Sequence, residues 1–521
     1  MFTASAFNCI KKQLLSPKSS FRLPAATMSF SNIAVDNSPL SNYSSFNPQL
    51  RATIQQLDAI APRFEVNKGE IEILKSPSDF YSLLKQKISK AQDRIFLSSL
   101  YLGKTQDELV QCLHDSLTTN PQVKVTILLD CLRSTRDAPH KSTASLLVPL
   151  VEKFGNQRVD IRFYHTPHLG GLTKRVLPKR INEGWGLQHM KIYGVDDEVI
   201  LSGANLSEDY FTDRQDRYYV FKNPRLTNYY YTVQQAISSL SYQVLPFENQ
   251  QKFVLEWPTN NKASEPHLNL HSFITDSTKL LLPILKSHMT APPDADKQIK
   301  NPDTIVYPVS SFAPLMKPDY STEKLAIIRC LSHLANKEAK FTFTAGYFNM
   351  HPDIQSKIQS SLCRGEIITA SPKANSFYKS GGISYYLPHA YLLNSLNFLK
   401  SMQSNTKHQV SLLEWQNGEV NTKGGWSYHA KGIWISMANE KWPSISVIGS
   451  SNYTKRAYSL DLETNALVIT KDEELKKQMF DEVEHLKEHT KELKIEDFEK
   501  EEERQVGWGV KLAARLLSGM L

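Results

Sequence analysis

The chain is poor in cysteine: Cys9, Cys112, Cys131, Cys330 and Cys363 are scattered over 521 residues, with no Cys-x-x-Cys and no Cys/His spacing. A dispersed, odd-numbered set argues against a disulfide framework, signals no structural metal and fits a reducing compartment. Also missing is any apolar run long enough to carry a helix across a bilayer, so no spanning helix is expected. Excess charge is small as well. The net +8 includes Lys11, Lys12, Lys18 and Arg22, all ahead of the first acid, Asp36. What remains is near neutral, without the concentrated basic patch of a nucleic-acid binder, and no nucleic-acid partner is expected. Gly103-Lys104-Thr105 ends like a nucleotide phosphate loop, but Ser98 stands where that motif needs its first glycine. With 40% hydrophobic and 22% charged residues, the composition is that of a soluble globular chain, and the length calls for more than one core.

What is present is concentrated in residues 185 to 217. Leu187 to Tyr193 and Val199 to Ser202 read as two short strands around a Gly194 to Asp197 turn. His189 and Lys191 are two apart, so on a strand they share a face. An ammonium beside a neutral imidazole suits a phosphodiester: the lysine holds an anionic oxygen while a ring nitrogen attacks phosphorus. Asn205, on the loop that follows, can donate its amide to another oxygen.

The chain then repeats itself. Tyr428-His-Ala-Lys-Gly-Ile-Trp-Ile435 is a second aromatic-flanked strand of the same kind, followed by Gly449-Ser-Ser-Asn452. Trp426 precedes His429 as Trp185 precedes His189. The step along the chain from Asn205 to Asp216 equals that from Asn452 to Glu463. Upstream, Arg94 to Tyr101 parallels Lys340 to Tyr347, with further apolar strands at Val123 to Asp130, Ile161 to Tyr164, Gly365 to Ala370 and Val410 to Trp415. Features recurring in one order imply two homologous α/β lobes. Two lobes that each present His, Lys and Asn can close on one phosphate: one histidine forms a phosphohistidine, and the other protonates the leaving group and then deprotonates the incoming alcohol.

A doubled H-x-K strand followed by Gly/Ser and Asn resembles the phospholipase D superfamily. Gly186-Leu-Gln-His-Met-Lys-Ile-Tyr193, Leu201-Ser-Gly-Ala-Asn-Leu-Ser207 and Asp213-Arg-Gln-Asp-Arg-Tyr218 resemble, more narrowly, the eukaryotic phosphatidylglycerophosphate synthases. The resemblance implies an α/β fold of two phospholipase D-like α/β/α lobes around a pseudo-two-fold active-site cleft. It implies catalytic His189, Lys191, Asp196, His429 and Lys431, with Asn205, Asn452 and Ser450 on substrate phosphate. Asp216 and Glu463 resemble the acids that orient the histidines, without indicating which serves which. The second motif departs from the pattern, since Ser436 occupies the position of Asp196; Asp196 is therefore expected to support its lobe, and the two histidines to be indispensable. The complete first motif favours His189 as the nucleophile. The implied reaction moves the phosphatidyl group of CDP-diacylglycerol to sn-glycerol 3-phosphate, releasing CMP, with no cofactor. Another superfamily enzyme (a cardiolipin synthase, phospholipase or nuclease) and a non-catalytic lipid-binding protein remain as alternatives.

Along the chain, residues 1–40 are Ser-rich, basic and acid-poor, the composition of a mitochondrial targeting segment, which suggests the matrix side of the inner membrane. Lobe one is expected over 65–245, a connecting insert over 246–303, lobe two over 304–470, and charged or amphipathic helices over 471–521. Lys174, Arg175, Lys179 and Arg180 lie on a loop just before the first motif and could bind an acceptor phosphate or lipid headgroups. Residues 508–521 combine Trp, Leu and Lys/Arg as in a segment lying on a bilayer, so peripheral membrane contact is expected; docking on the protein itself is the other reading.

Overall fold

A computed structural model describes residues 45–138, 140–170, 182–247, 252–286, 302–403, 409–501 and 504–505. The expected targeting segment, the basic loop with Lys174, Arg175, Lys179 and Arg180, and residues 508–521 lie outside the described residues.

Each lobe is built on a nine-stranded sheet. In the first, the strands run in the order Lys252–Glu256, Tyr242–Phe247, Val159–Tyr164, Lys124–Asp130, Arg94–Ser99, Ile192–Val195, Glu198–Ser202, Tyr218–Phe221 and Ile71–Leu74. In the second the order is Thr490–Glu492, Gln409–Trp415, Arg364–Ala370, Lys340–Ala345, Lys431–Ser436, Ile445–Gly449, Glu463–Thr470, Thr304–Ser311 and Phe64–Val66. Strands Arg94–Ser99, Lys124–Asp130 and Val159–Tyr164 of the first sheet, and Lys340–Ala345, Arg364–Ala370 and Gln409–Trp415 of the second, are parallel, so each step between them needs a crossover. Helices Asp107–Thr119 and Thr143–Phe154 supply it in lobe one, and Pro352–Gln359 and Leu387–Gln403 in lobe two. Local chemistry sets these helices. Pro77–Ser89, for example, starts at a reciprocal Ser76/Asp79 capping box and buries Phe80, Leu84 and Ile88 at four-residue spacing.

The lobe boundaries differ from those expected. Phe64–Val66 pairs antiparallel with Thr304, Ile305 and Val306, and the preceding helix Pro48–Asp58 buries Leu50, Ile54 and Leu57 in the core of lobe two. The chain thus begins its described course on the second lobe before entering the first. The first sheet runs past residue 245 through the hairpin that ends at Glu256, and Thr490–Glu492 extends the second sheet beyond 470. The expected insert contains helix Leu270–Leu285, whose Ser277 hydroxyl donates to Leu315 O at 2.6 Å.

The lobes share a core. Met190, Tyr219, Phe221 and Tyr230 of the first pack in one cluster with Trp434, Val468 and Met479 of the second. Within it Arg217, fully buried, reaches across: Nε donates to Glu482 Oε1 at 2.7 Å, Nη1 to Lys431 O at 3.0 Å and Nη2 to Ser446 Oγ at 3.0 Å, with the guanidinium 3.9 Å over Trp434. Removing one member of a buried ion pair strands the other. Glu482→Ala is therefore expected to destabilise the protein by about 3–5 kcal/mol, read as a lowered denaturant midpoint; an unchanged midpoint would refute the bolt between lobes.

Candidate active site

The segment before each motif leaves its own sheet and pairs with the other lobe. His189 N donates to Leu462 O at 3.0 Å and Leu462 N to Leu187 O at 2.8 Å; His429 N donates to Gln215 O and Ser427 N to Asp213 O, both at 2.9 Å. This is why the strand starts at Ile192 and not at Leu187. Gly186, at φ 121°, lets the chains approach: a Cβ there would lie 2.3 Å from Leu460 O.

Those backbone bonds set the side-chain register. The residues accepting from the histidine amides, Leu462 and Gln215, immediately precede Glu463 and Asp216. Each acid consequently meets the histidine of the opposite lobe: His189 Nδ1 lies 2.9 Å from Glu463 Oε1, and His429 Nδ1 lies 2.7 Å from Asp216 Oδ2. With Nδ1 engaged, Nε2 is the ring nitrogen left for chemistry. Both lysines donate to the backbone of their own motif, Lys191 Nζ to His189 O at 2.7 Å and Lys431 Nζ to His429 O at 3.0 Å, but Lys431 Nζ also lies against its histidine's ring, 2.7 Å from Nδ1 and 3.2 Å from Nε2. The charges of Lys191 and Lys431 reach both histidines.

Burial governs the electrostatics. It holds both imidazoles well below their ordinary range, aided by Lys191 at His189 and Lys431 at His429. It pulls the Lys191 ammonium down to about 7 and that of Lys431 to about 8. It pushes Glu463 up to about 7, and Asp216 up as well. An arriving phosphate anion restores the lysine charges. Rising pH discharges Lys191 and then Lys431 in the empty site, so kcat/KM for an anionic donor should fall with an apparent pKa between about 7 and 8, while kcat at saturation persists to higher pH. A kcat/KM profile flat through pH 9 would contradict this.

The remaining residues divide. Asn205 is buried, and its amide oxygen accepts from Ser99 Oγ at 3.4 Å. Asn452 is half-buried, with its amide oxygen unpartnered. Asp196 is not with the histidines, contrary to the expectation for a catalytic residue. It occupies the hairpin turn at φ 50°, where its carboxylate accepts from the backbone N–H groups of Gln92, Asp93 and Arg94 at 2.9, 2.8 and 3.1 Å. Seven residues of extended chain separate it from His189, on the order of 20 Å, so it ties down the turn. Ser450 is also corrected: wholly buried, its hydroxyl donates to Glu463 and accepts from Thr464 N at 3.1 Å, which leaves it holding the acid and not a phosphate. In lobe one the matching residue is Gly203, where a Cβ would sit 2.6 Å from Asp216 Oδ1 and 2.8 Å from Lys431 Nζ.

Several residues of the site lie outside both motifs or carry none of their chemistry. Gln188 stitches the motif to the sheet: its N donates to buried Asp130 at 3.0 Å and its side chain to Ser99 O and Leu128 O. Tyr210 OH lies 3.3 Å from His429 Nε2, and the rings of Tyr210 and Tyr347 stand edge-on to that imidazole. Tyr347 stands two residues past the end of strand Lys340–Ala345, as Tyr101 does past Arg94–Ser99, a repeat that could have flagged it. Four and nine residues beyond each asparagine lies an ion pair with its signs exchanged, Asp209–Arg214 at 2.6 Å and Arg456–Asp461 at 2.8 Å. A comparison seeking like residues passes over it.

The family described as "Cardiolipin synthase, PLD-like domain" matches residues 84–237. Over 497 residues, 94% of each chain, the sequence is 49% identical to the "CDP-diacylglycerol--glycerol-3-phosphate 3-phosphatidyltransferase" of Saccharomyces cerevisiae. It is 30% identical over 494 residues to the mitochondrial protein so named in Homo sapiens, covering 89% of this chain and 85% of that one. The fold is similar to the crystal structure of phosphatidylserine synthase from Haemophilus influenzae, with a TM-score of 0.67 at 20% identity over 91% of this chain and all of that one.

Proposed function

The chain belongs to the CDP-diacylglycerol:glycerol-3-phosphate 3-phosphatidyltransferase family, and from that premise we propose that it transfers the phosphatidyl group of CDP-diacylglycerol to sn-glycerol 3-phosphate through a phosphohistidine on His189. The observation carrying this reading is the pair of histidines held crosswise by Glu463 and Asp216. His189 Nε2 attacks the phosphorus that bears the diacylglycerol, and the bond from that phosphorus to the CMP oxygen breaks. The bound phosphates offset the lysine charges that hold the ring neutral, so His429 takes up a proton from solvent and, as the imidazolium paired with Asp216, gives the departing CMP a proton from Nε2. It then takes the proton of the glycerol 3-phosphate hydroxyl, which attacks the phosphohistidine, releasing His189 and forming phosphatidylglycerophosphate. Lys191, Lys431 and the Asn205 and Asn452 amides neutralise the oxygens on which charge builds. Glu463 and Asp216 fix the ring tautomers and stabilise the imidazolium when it forms.

No described helix is long and apolar enough to cross a membrane, and contact with the lipid donor at the membrane surface is part of the proposal. The names of the Gallus gallus and Homo sapiens relatives carry the word mitochondrial, which together with the acid-poor segment 1–40 supports a mitochondrial enzyme; work on the matrix side of the inner membrane is part of the proposal. Incubating purified protein with CDP-diacylglycerol and labelled glycerol 3-phosphate tests the reading: equal amounts of phosphatidylglycerophosphate and CMP are expected. Phosphatidic acid and no transfer product would mark a hydrolase instead, and no reaction at all a binding protein.

A further inference from the structure

One side chain away from His429, beyond Tyr210, lies a cavity of about 500 Å³, walled by the loops that follow strands Arg94–Ser99, Lys124–Asp130 and Glu198–Ser202. That is within the ~300–1,000 Å³ of small-molecule sites. It adjoins the reacting centre at two points. Ser99 Oγ lies 3.0 Å from Tyr101 O, on the cavity wall, and 3.4 Å from Asn205 Oδ1. The wall helix Glu208–Thr212 carries Tyr210, whose hydroxyl is 3.3 Å from His429 Nε2.

The charges of the wall identify its occupant. Its cations are Lys104, Arg133 and Arg136, and each is matched: Lys104 faces Asp137 at 3.3 Å, while Arg133 and Arg136 hold Glu183 at 3.2 and 2.8 Å. Its carboxylates are Asp137, Glu208, Asp209 and Asp213; Lys104 holds Asp137 and Arg214 holds Asp209, so the wall groups left without an ion pair among the described residues are two acids, Glu208 and Asp213. A dianion such as free glycerol 3-phosphate is repelled by such a wall. An uncharged group rich in donors is favoured: ribose hydroxyls and the exocyclic amine of cytosine both donate to carboxylates.

We propose that this cavity is the subsite for the cytidine of the donor, which directs the departing CMP along the His429 side and leaves His189 on the opposite face of the phosphorus. The proposal rests on the reading of the reaction above. Thr105 and Glu208 are exposed on the wall, so substitutions there leave the core intact. Thr105→Trp, filling the cavity, should raise the KM for CDP-diacylglycerol and the Kd of CMP by calorimetry at least tenfold together, with the KM for glycerol 3-phosphate within twofold and the melting midpoint unchanged. Glu208→Arg should also weaken CMP, without improving glycerol 3-phosphate. A lowered KM for glycerol 3-phosphate in Glu208→Arg would assign the cavity to the acceptor, and unchanged donor and CMP constants in both variants would leave it unused; either overturns the proposal while phosphatidylglycerophosphate is still made. Failure of the wild type to make that product strikes the reaction itself.

Discussion

His189→Ala is expected to abolish both CMP release and phosphatidylglycerophosphate formation, a loss of at least ~10⁴-fold for a nucleophile acting within a catalytic unit, whereas His429→Ala should slow turnover by ~10²–10⁴-fold and accumulate a phosphatidyl group on His189. The asymmetry follows from the sequence of steps. Without His189 no covalent bond to phosphorus forms, so nothing downstream proceeds. Without His429 the departing CMP, a phosphate monoester and a fair leaving group, can still go unassisted, but the acceptor hydroxyl then has no base and the intermediate stalls. Quenching each variant with labelled CDP-diacylglycerol and mapping the labelled peptide distinguishes the two. Label on His429 in the His189→Ala variant would reverse the roles, and no label anywhere would favour direct displacement. Asp196→Ala should retain most activity, because its carboxylate ends at the backbone of residues 92 to 94.

The second large effect concerns the exchanged acids. Glu463→Gln and Asp216→Asn each should lower kcat by ~10²–10⁴-fold, since each amide can present the wrong group to a ring Nδ1 and cannot stabilise an imidazolium. The two losses differ in kind. Glu463 lies in lobe two but serves His189, so Glu463→Gln should block labelling, as His189→Ala does. Asp216 lies in lobe one but serves His429, so Asp216→Asn should accumulate label on His189, as His429→Ala does. If each acid variant instead copied the histidine of its own lobe, the crosswise arrangement would be wrong. Glu463→Gln also loosens Ser450, whose hydroxyl is committed to that carboxylate, so Ser450→Ala should mimic it weakly.

Much of this was written in the chain itself. Alternating apolar residues around His189 and His429, the equal steps from Asn205 to Asp216 and from Asn452 to Glu463, and the aligned segments ending at Tyr101 and Tyr347 determine two like lobes and a phosphodiester chemistry. Those signals are local, set by the two-residue period of a strand and by repetition along the sequence. Pairing across the cleft is not local. Which acid meets which histidine depends on the backbone bonds from His189 to Leu462 and from His429 to Gln215, between segments far apart in the chain. Asp196 was legible as a turn residue that supports its lobe, but only the packed structure decided that it binds the backbone of residues 92 to 94 and that Ser450 holds Glu463. The ion pairs Asp209–Arg214 and Arg456–Asp461 and the strand Phe64–Val66 on the second sheet were likewise decided in three dimensions. An exchanged sign preserves a salt bridge while erasing the sequence likeness, and a three-residue edge strand has too little pattern of its own to declare which sheet will receive it.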